Sequence, residues 1–220
     1  LIINKNFIHL RPIMILNKNT ASKVAEYLLQ VKAIKLNVEE PFTWASGIKS
    51  PIYCDNRVIL SYPIIRTYIR QQLAELTIEA YGKPDIIAGV ATGGIAIGAL
   101  IAQELDMPFA YVRSQAKAHG LQNMIEGVME KGRTVVLIED LISTGGSSIQ
   151  AVKAVKENGN SVKGVVSIMD YGFQKAIDNF ENECTFYSLC NFDVLIETAL
   201  EKEFITKENY DALLKWKMSV

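Results

Sequence analysis

TVVLIEDLISTGGSSIQAV, residues 134–152, is the stretch on which the fold turns. Its opening run, 134–138, is continuously apolar after one β-branched polar residue and reads as a strand buried on both faces. Two acids, Glu139 and Asp140, end that strand. A Ser/Thr/Gly loop starting at Leu141 then opens a helix that runs to about Asn158. Backbone N–H groups of such a loop point into a concavity, and the helix N-terminus adds partial positive charge, so together they make an anion site. Gly145 and Gly146 let the backbone approach a phosphate with no side chain between. Ser143, Thr144, Ser147 and Ser148 add hydroxyl donors. Two carboxylates beside a bare phosphate would repel it. They make sense if the ligand also carries hydroxyls that can donate, as a ribose does, or a bridging Mg²⁺. The stretch therefore points to a sugar phosphate. A plain strand-to-helix turn with a capping serine is the simpler alternative for Ser147 alone, but not for the whole combination. No GK[ST] loop and no G-x-G-x-x-G after a strand is present, which excludes the two best-known phosphate motifs.

The same rhythm recurs on both sides. Residues 85–90 form a buried-type strand, 91–94 a Gly-bearing turn, 95–105 an apolar helix and 109–112 a short strand; 162–169 is a further apolar strand. Continuous apolar strands alternating with helices predict an α/β fold with a central parallel sheet flanked by helices. Ligands of such sheets sit at the carboxyl ends of the strands, which gathers 91–94, 113–122 and 139–148 along one edge. Upstream, Thr20 and Ser22 offer N-caps for a helix to about Lys35, with Val24, Tyr27, Leu28 and Val31 on one face. FTWASGIKSPIYCDNR, residues 42–57, is aromatic and punctuated by Gly47 and Pro51, which predicts two strands and a tight connection. Pro63 begins a second amphipathic helix, through Ile65, Ile69, Leu73 and Leu76, ending near Gly82. After Gly172 come a helix, a strand near 185–189 and two short helices. No repeat or linker divides the chain. Residues 14–220 are expected to form one domain, with a small N-terminal cap, or hood, contributed mainly by 20–57.

Composition narrows the function classes. Hydrophobic residues make up 49% of the 220 and charged residues 21%, enough to bury a sizeable core. The formal net charge of -1 argues against a nucleic-acid coat, which needs a dense Lys/Arg surface. Cys54, Cys184 and Cys190 include no CxxC pair, which favours reduced thiols in the cytoplasm. With only His9 and His119, a His-rich zinc site is not available. The segment 1–13 is too short and too interrupted by Lys5, His9 and Arg11 for a membrane span or signal peptide, and reads as an extension without a catalytic role.

Residues 138–147 resemble the phosphoribosyl pyrophosphate (PRPP) signature of the type I phosphoribosyltransferases. The likeness extends over roughly 20–214 and runs toward the orotate phosphoribosyltransferases of that family. FTWASGIKSPIYCDNR resembles their N-terminal signature, and YVRSQAKAHG, residues 111–120, their catalytic loop. The resemblance implies the type I phosphoribosyltransferase fold and the transfer of ribosyl phosphate from PRPP to orotate, with Mg²⁺ bound mainly through PRPP. Glu139 and Asp140 would contact the ribose hydroxyls. Leu141, Ile142, Ser143, Thr144, Gly145, Gly146, Ser147 and Ser148 would hold the 5′-phosphate, and the turn at Thr92, Gly93 and Gly94 would present amides to pyrophosphate. That turn could equally be a tight helix-on-sheet packing device.

Arg113, Lys117 and His119 fall within seven positions. Displacing pyrophosphate builds negative charge on the leaving group, and a loop carrying cations neutralises it and excludes water when it closes. His119 could also supply a proton. Lys117 alone could be an ordinary solvated lysine. In the family this loop serves the partner subunit's site, so a homodimer is implied, with no membrane or nucleic-acid partner. For the base, Tyr53 could stack on a flat ring and Arg57 could pair with a carboxylate, with Ser143 adjoining; either side chain could instead be structural. Three positions depart from patterns found in some orotate enzymes. Ala45 stands where they have lysine, Ser114 where a lysine follows the loop arginine, and Tyr171 where an arginine follows the strand-ending aspartate. These departures leave a purine-base transferase as an alternative, and a PRPP-sensing regulator as a more distant one.

Overall fold

The computed structural model describes residues 15–44, 47, 49–114 and 124–220. The segment 1–13 expected to be an extension lies outside them. The first helix, α1, spans Lys18–Gln30, and its cap is Asn17, whose side-chain oxygen accepts from the N–H groups of Asn19 and Thr20. The cap expected at Thr20 or Ser22 is thus displaced by a better placed Asn, and the Thr20 hydroxyl donates instead to Gln72 Oε1 at 2.9 Å. The helix also stops before Lys35. Lys32 takes a positive φ of 55°, and Ile34–Leu36 becomes a strand, β1.

Residues 42–57 fold into three short strands where two were expected: β2 (Phe42–Thr43), β3 (Lys49–Ser50) and β4 (Ile52–Cys54). β2 pairs with β3, and β4 pairs antiparallel with β1. A 3₁₀ turn over Asn56–Ser61 leads to α2 (Pro63–Tyr81), which has Pro63 in its first turn and ends at Gly82 with φ 66°. Its buried face includes Ile65, Ile69, Leu73 and Leu76, as the periodicity indicated.

The remaining elements are β5 (Ile86–Val90), α3 (Gly93–Glu104), β6 (Phe109–Val112), β7 (Ile125–Glu126), β8 (Thr134–Ile142), α4 (Gly146–Glu157), β9 (Ser161–Asp170), α5 (Gln174–Phe180), β10 (Phe186–Asn191), α6 (Phe192–Glu201) and α7 (Lys207–Ser219). The sheet runs β10-β9-β8-β5-β6-β7, parallel throughout except that β7 lies antiparallel to β6. One face packs on α1, α2, α3 and α6 through residues such as Leu28, Ile69, Ile101 and Leu195. The other packs on α4 and α5 through Val152, Val155 and Phe180. Burial on both faces explains why β5, the first half of β8 and much of β9 read as apolar runs.

β8 continues past its two acids. Leu141 and Ile142 pair with Met169 and Asp170 of β9, so the residues expected to begin the loop are still strand, and Ile142 is fully buried. The loop proper is 143–145.

Candidate active site

At the carboxyl end of the sheet, β8 and β5 bring the acid pair and the Gly-bearing turn into direct contact. A side chain at Gly94 would overlap the carbonyl oxygen of Ile138, and one at Gly93 would overlap the carboxyl group of Asp140. Behind them, a Cβ on Gly89 would meet the Gly94 oxygen at 2.6 Å and the Ile95 Cα at 2.9 Å. The turn of residues 91–94 therefore has a packing role, since the missing side chains let α3 seat on β5 and β8. The same seating sets the turn's backbone against Asp140. Of the two readings the sequence left open, this geometry carries the packing one directly.

The loop opens α4 without a side-chain cap. Gly145 occupies the cap position with φ 77°, and a Cβ there would strike the Phe180 ring at 2.7 Å. Asn179 braces the loop by donating to the Thr144 carbonyl at 2.8 Å. The first amides of a helix have no intrahelical acceptor, and here no capping side chain takes them, so they are available to an anion. Gly146 has open space where a Cβ would stand, with Thr144 Oγ1 the nearest atom at 4.0 Å. Ser147 and Ser148, read as phosphate donors, both donate instead to Glu139 Oε1, at 2.8 and 2.9 Å.

The two acids differ in setting. Glu139 is 4% exposed, and burial, with the neighbouring Asp140 charge adding to it, pushes its carboxyl up to about 8. Asp140 is raised by burial as well, an effect offset in part by the Arg57 charge. Burial thus weakens the hydration of both carboxyls, so hydroxyl donors count for more there than in water; Glu139 already has two, from Ser147 and Ser148.

Arg57 and Tyr53 stand on the hood side of this edge. The Arg57 guanidinium holds Asp55 bidentately, Nε to Oδ1 at 2.7 Å and Nη2 to Oδ2 at 3.0 Å. Tyr53 is 40% exposed and leans on Phe42, ring centroids 5.7 Å apart. Arg113 follows β6 directly. Its N–H donates to the Met124 carbonyl at 2.7 Å, and its guanidinium faces Glu126 at 3.5 Å. One residue earlier, the Val112 carbonyl accepts from the Ala91 N–H at 2.8 Å, so Arg113 adjoins the turn of residues 91–94. Lys117 and His119 lie outside the described residues, as does Ala45.

Tyr171, where some orotate enzymes have an arginine, is 2% exposed. It stacks on Phe173 at 5.2 Å and meets Trp44 at 5.3 Å, in a cluster completed by Phe192 and Trp216. Trp216 Nε1 donates to the Lys49 carbonyl, so this cluster fastens the hood to the sheet. The position serves packing and presents no cation to a ligand. Sequence reasoning also missed Asn56, which is 1% exposed and donates from Nδ2 to the Asp140 carbonyl at 2.6 Å. An asparagine between Asp55 and Arg57 reads as a turn residue, and no local signal reveals a partner 84 positions away.

A mostly parallel sheet whose central strand carries two acids near its carboxyl end, followed by an uncapped helix start, with a glycine turn set against them, is the arrangement of a phosphoribosyl-transferring domain. A family model described as the phosphoribosyl transferase domain matches residues 59–188. The orotate phosphoribosyltransferase of Staphylococcus haemolyticus is 50% identical over 198 residues, covering 90% of this chain and 98% of that protein. The chain belongs to the phosphoribosyltransferase family, among the orotate phosphoribosyltransferases. Solved structures agree. The orotate phosphoribosyltransferase from Aeropyrum pernix superposes with a TM-score of 0.73 at 25% identity, covering 83% of this chain and 99% of that one. Leishmania donovani UMP synthase gives a TM-score of 0.80 at 27% identity, covering 92% of this chain and 43% of that longer protein.

Proposed function

We propose that the chain transfers 5-phosphoribosyl from PRPP to orotate, giving orotidine 5′-monophosphate and pyrophosphate in pyrimidine nucleotide synthesis. The observation that carries this is the meeting of Asp140, the turn at Gly93 and the uncapped start of α4 at one sheet edge. The 5′-phosphate takes the amides of 143–148, the ribose hydroxyls donate to Asp140 and Glu139, and the diphosphate lies along Thr92, Gly93 and Gly94. To donate outward to phosphate, Ser147 and Ser148 must leave Glu139, whose lost donors the ribose hydroxyls replace. The orotate nitrogen attacks the anomeric carbon as the bond to pyrophosphate breaks, with no covalent enzyme intermediate. Arg113, with Lys117 and His119 proposed from the sequence, neutralises the departing charge. Arg57 exchanges Asp55 for the orotate carboxylate, with Tyr53 and Ser143 beside the ring.

The described residues hold no group of three metal-ligating side chains. Mg²⁺ would be carried mainly on the oxygens of PRPP, as the family resemblance implies, where it would offset the charge of the diphosphate. Residues 14–220 act as one domain with a hood from 20–57. A homodimer sharing the loop after Arg113 follows from the family resemblance, and a cytoplasmic setting fits three free cysteines. Among the described residues no helix is long and apolar enough to cross a membrane.

The test is an assay with PRPP and Mg²⁺ offered orotate, adenine, hypoxanthine or xanthine in turn. Orotate alone should be consumed. Turnover of a purine in its place would move the chain to the purine-base enzymes, and salt-dependent nucleic-acid binding without any turnover would make it a regulator.

A further inference from the structure

The backbone of Asp140 is in an unusual position for a strand residue. β8 is flanked by β5 on one side, but that ladder ends at Gly89 opposite Ile138. On the other side the β9 ladder pairs Glu139 with Ser167 and Leu141 with Met169. Alternate carbonyls of a strand point the same way. The Ile138 carbonyl faces the turn at Gly94, so the Asp140 carbonyl points beyond the end of β5, where no strand remains to bond it. A buried carbonyl left there would be costly.

Asn56 fills this gap. Its side-chain amide donates to that carbonyl at 2.6 Å, and its Oδ1 accepts from the Cys54 thiol at 3.2 Å, which fixes the orientation of the amide. Asn56 sits between Asp55 and Arg57, at the start of the 3₁₀ turn that leaves the hood. It therefore ties the hood to the one strand residue whose carboxyl lies over Gly93.

We infer that Asn56 is a positioning residue for Asp140, extending the ladder that β5 no longer supplies and coupling the hood to the grip on the sugar. It does not touch the substrate. The inference rests on the proposed reading of Asp140 as a ribose-binding group. It implies that loosening the hood at residue 56 loosens the hold on ribose while the phosphate loop, built on α4 and braced by Asn179, stays intact.

The experiment compares equilibrium binding of ribose 5-phosphate and of inorganic phosphate to the full chain and to Asn56→Ala. The wild type should prefer ribose 5-phosphate. The variant should bind it about tenfold more weakly while its affinity for inorganic phosphate is unchanged. A purely structural role would weaken both ligands together or neither. A preserved preference in Asn56→Ala overturns the inference and leaves the proposed activity standing. A wild type without any preference overturns the sugar-phosphate site itself, and the inference with it. If the variant does not fold, the wild type still decides. The Asn56 side-chain amide resonance should shift on adding ribose 5-phosphate and hold still on adding inorganic phosphate, and no shift with either would refute the coupling.

Discussion

Replacing Gly89 by alanine tests whether the site's geometry depends on how closely α3 lies against the sheet. The new Cβ would stand 2.6 Å from the Gly94 oxygen, 2.9 Å from the Ile95 Cα and 3.0 Å from the Gly94 carbon. All three are backbone atoms, so no rotamer change relieves the overlap, and the first turn of α3 must lift by roughly 0.5–1 Å. Overpacking of this kind costs about 1–3 kcal/mol, and an obstructing backbone puts it toward the upper end. For a chain of this length each kcal/mol lowers Tm by about 2–4 °C, so about 2–3 kcal/mol gives an expected fall of roughly 4–12 °C. The lifted turn carries Gly93 and Gly94 away from Asp140. A misplacement near 1 Å costs up to about 100-fold in rate, so kcat/KM for PRPP should drop by about ten- to 100-fold. Thermal denaturation and steady-state consumption of orotate measure the two effects. Gly146→Ala is the control for the stability arm alone: its Cβ meets no protein atom closer than 4.0 Å at the first position of α4, and helix propensity makes it neutral or stabilising by up to about 1 kcal/mol. A Gly89→Ala protein within about 1 °C and twofold of wild type would refute the reasoning.

Three further outcomes are expected. Asp170 is 1% exposed, neither carboxylate oxygen has a hydrogen bond of good geometry, and burial pushes it from 3.8 up to about 6. The nearby Ser188 hydroxyl, Gly172 N–H and Lys217 charge offset this only in part, Ser188 being engaged with Ser167 at 2.6 Å and Lys217 with Asp193 at 2.7 Å. An acid whose folded pKa is raised favours the fold below its unfolded value, and that advantage is lost as pH rises from about 4 through about 6. Asp170→Asn should therefore be more stable than wild type at pH 7, by at most about 3 kcal/mol, with no gain near pH 3.5, as denaturant melts across that range would show. Arg57→Ala should raise the KM for orotate about tenfold or more. It should leave stability within about 1 kcal/mol, because the Asp55 pair is exposed; an unchanged KM would remove Arg57 from the base site. Lys117→Ala should lower kcat about 100-fold and leave the dissociation constant of the nucleotide product within about threefold, and single-turnover kinetics with direct binding separate the two.

The central layers were legible because β5, β8 and β9 are largely buried on both faces and so carry predominantly apolar runs bounded by Gly, Pro and Asn, a signal that needs no knowledge of neighbours. Helix α2 was legible for a similar reason, with Pro63 and Gly82 marking its ends. What failed to show depended on contacts distant in sequence. The extra length of β8 at Leu141 and Ile142 comes from pairing with β9, and local chemistry there reads as loop. Ile34–Leu36 is too short for any period to register, and it is a strand only because β4 lies beside it. The acid pair and the glycine loop could be placed together at the carboxyl end of one strand from their spacing, and the sugar-phosphate role proposed above starts from that placement. Asn56 is invisible without the fold, and so is the engagement of Ser147 and Ser148 with Glu139. Tyr171 was noticed as a departure, but its reason lies in Trp44 and Trp216, far away at both ends of the chain.

Those two indoles have a practical consequence. They are the only tryptophans in the chain, and they sit edge to face with centroids 6.0 Å apart, one in the hood and one on the last helix. Ultraviolet emission excited at the red edge of the protein band therefore arises from the seam between hood and sheet and from nowhere else. The molecule carries its own optical gauge, with no dye to attach, and its intensity and wavelength follow how firmly that seam is shut.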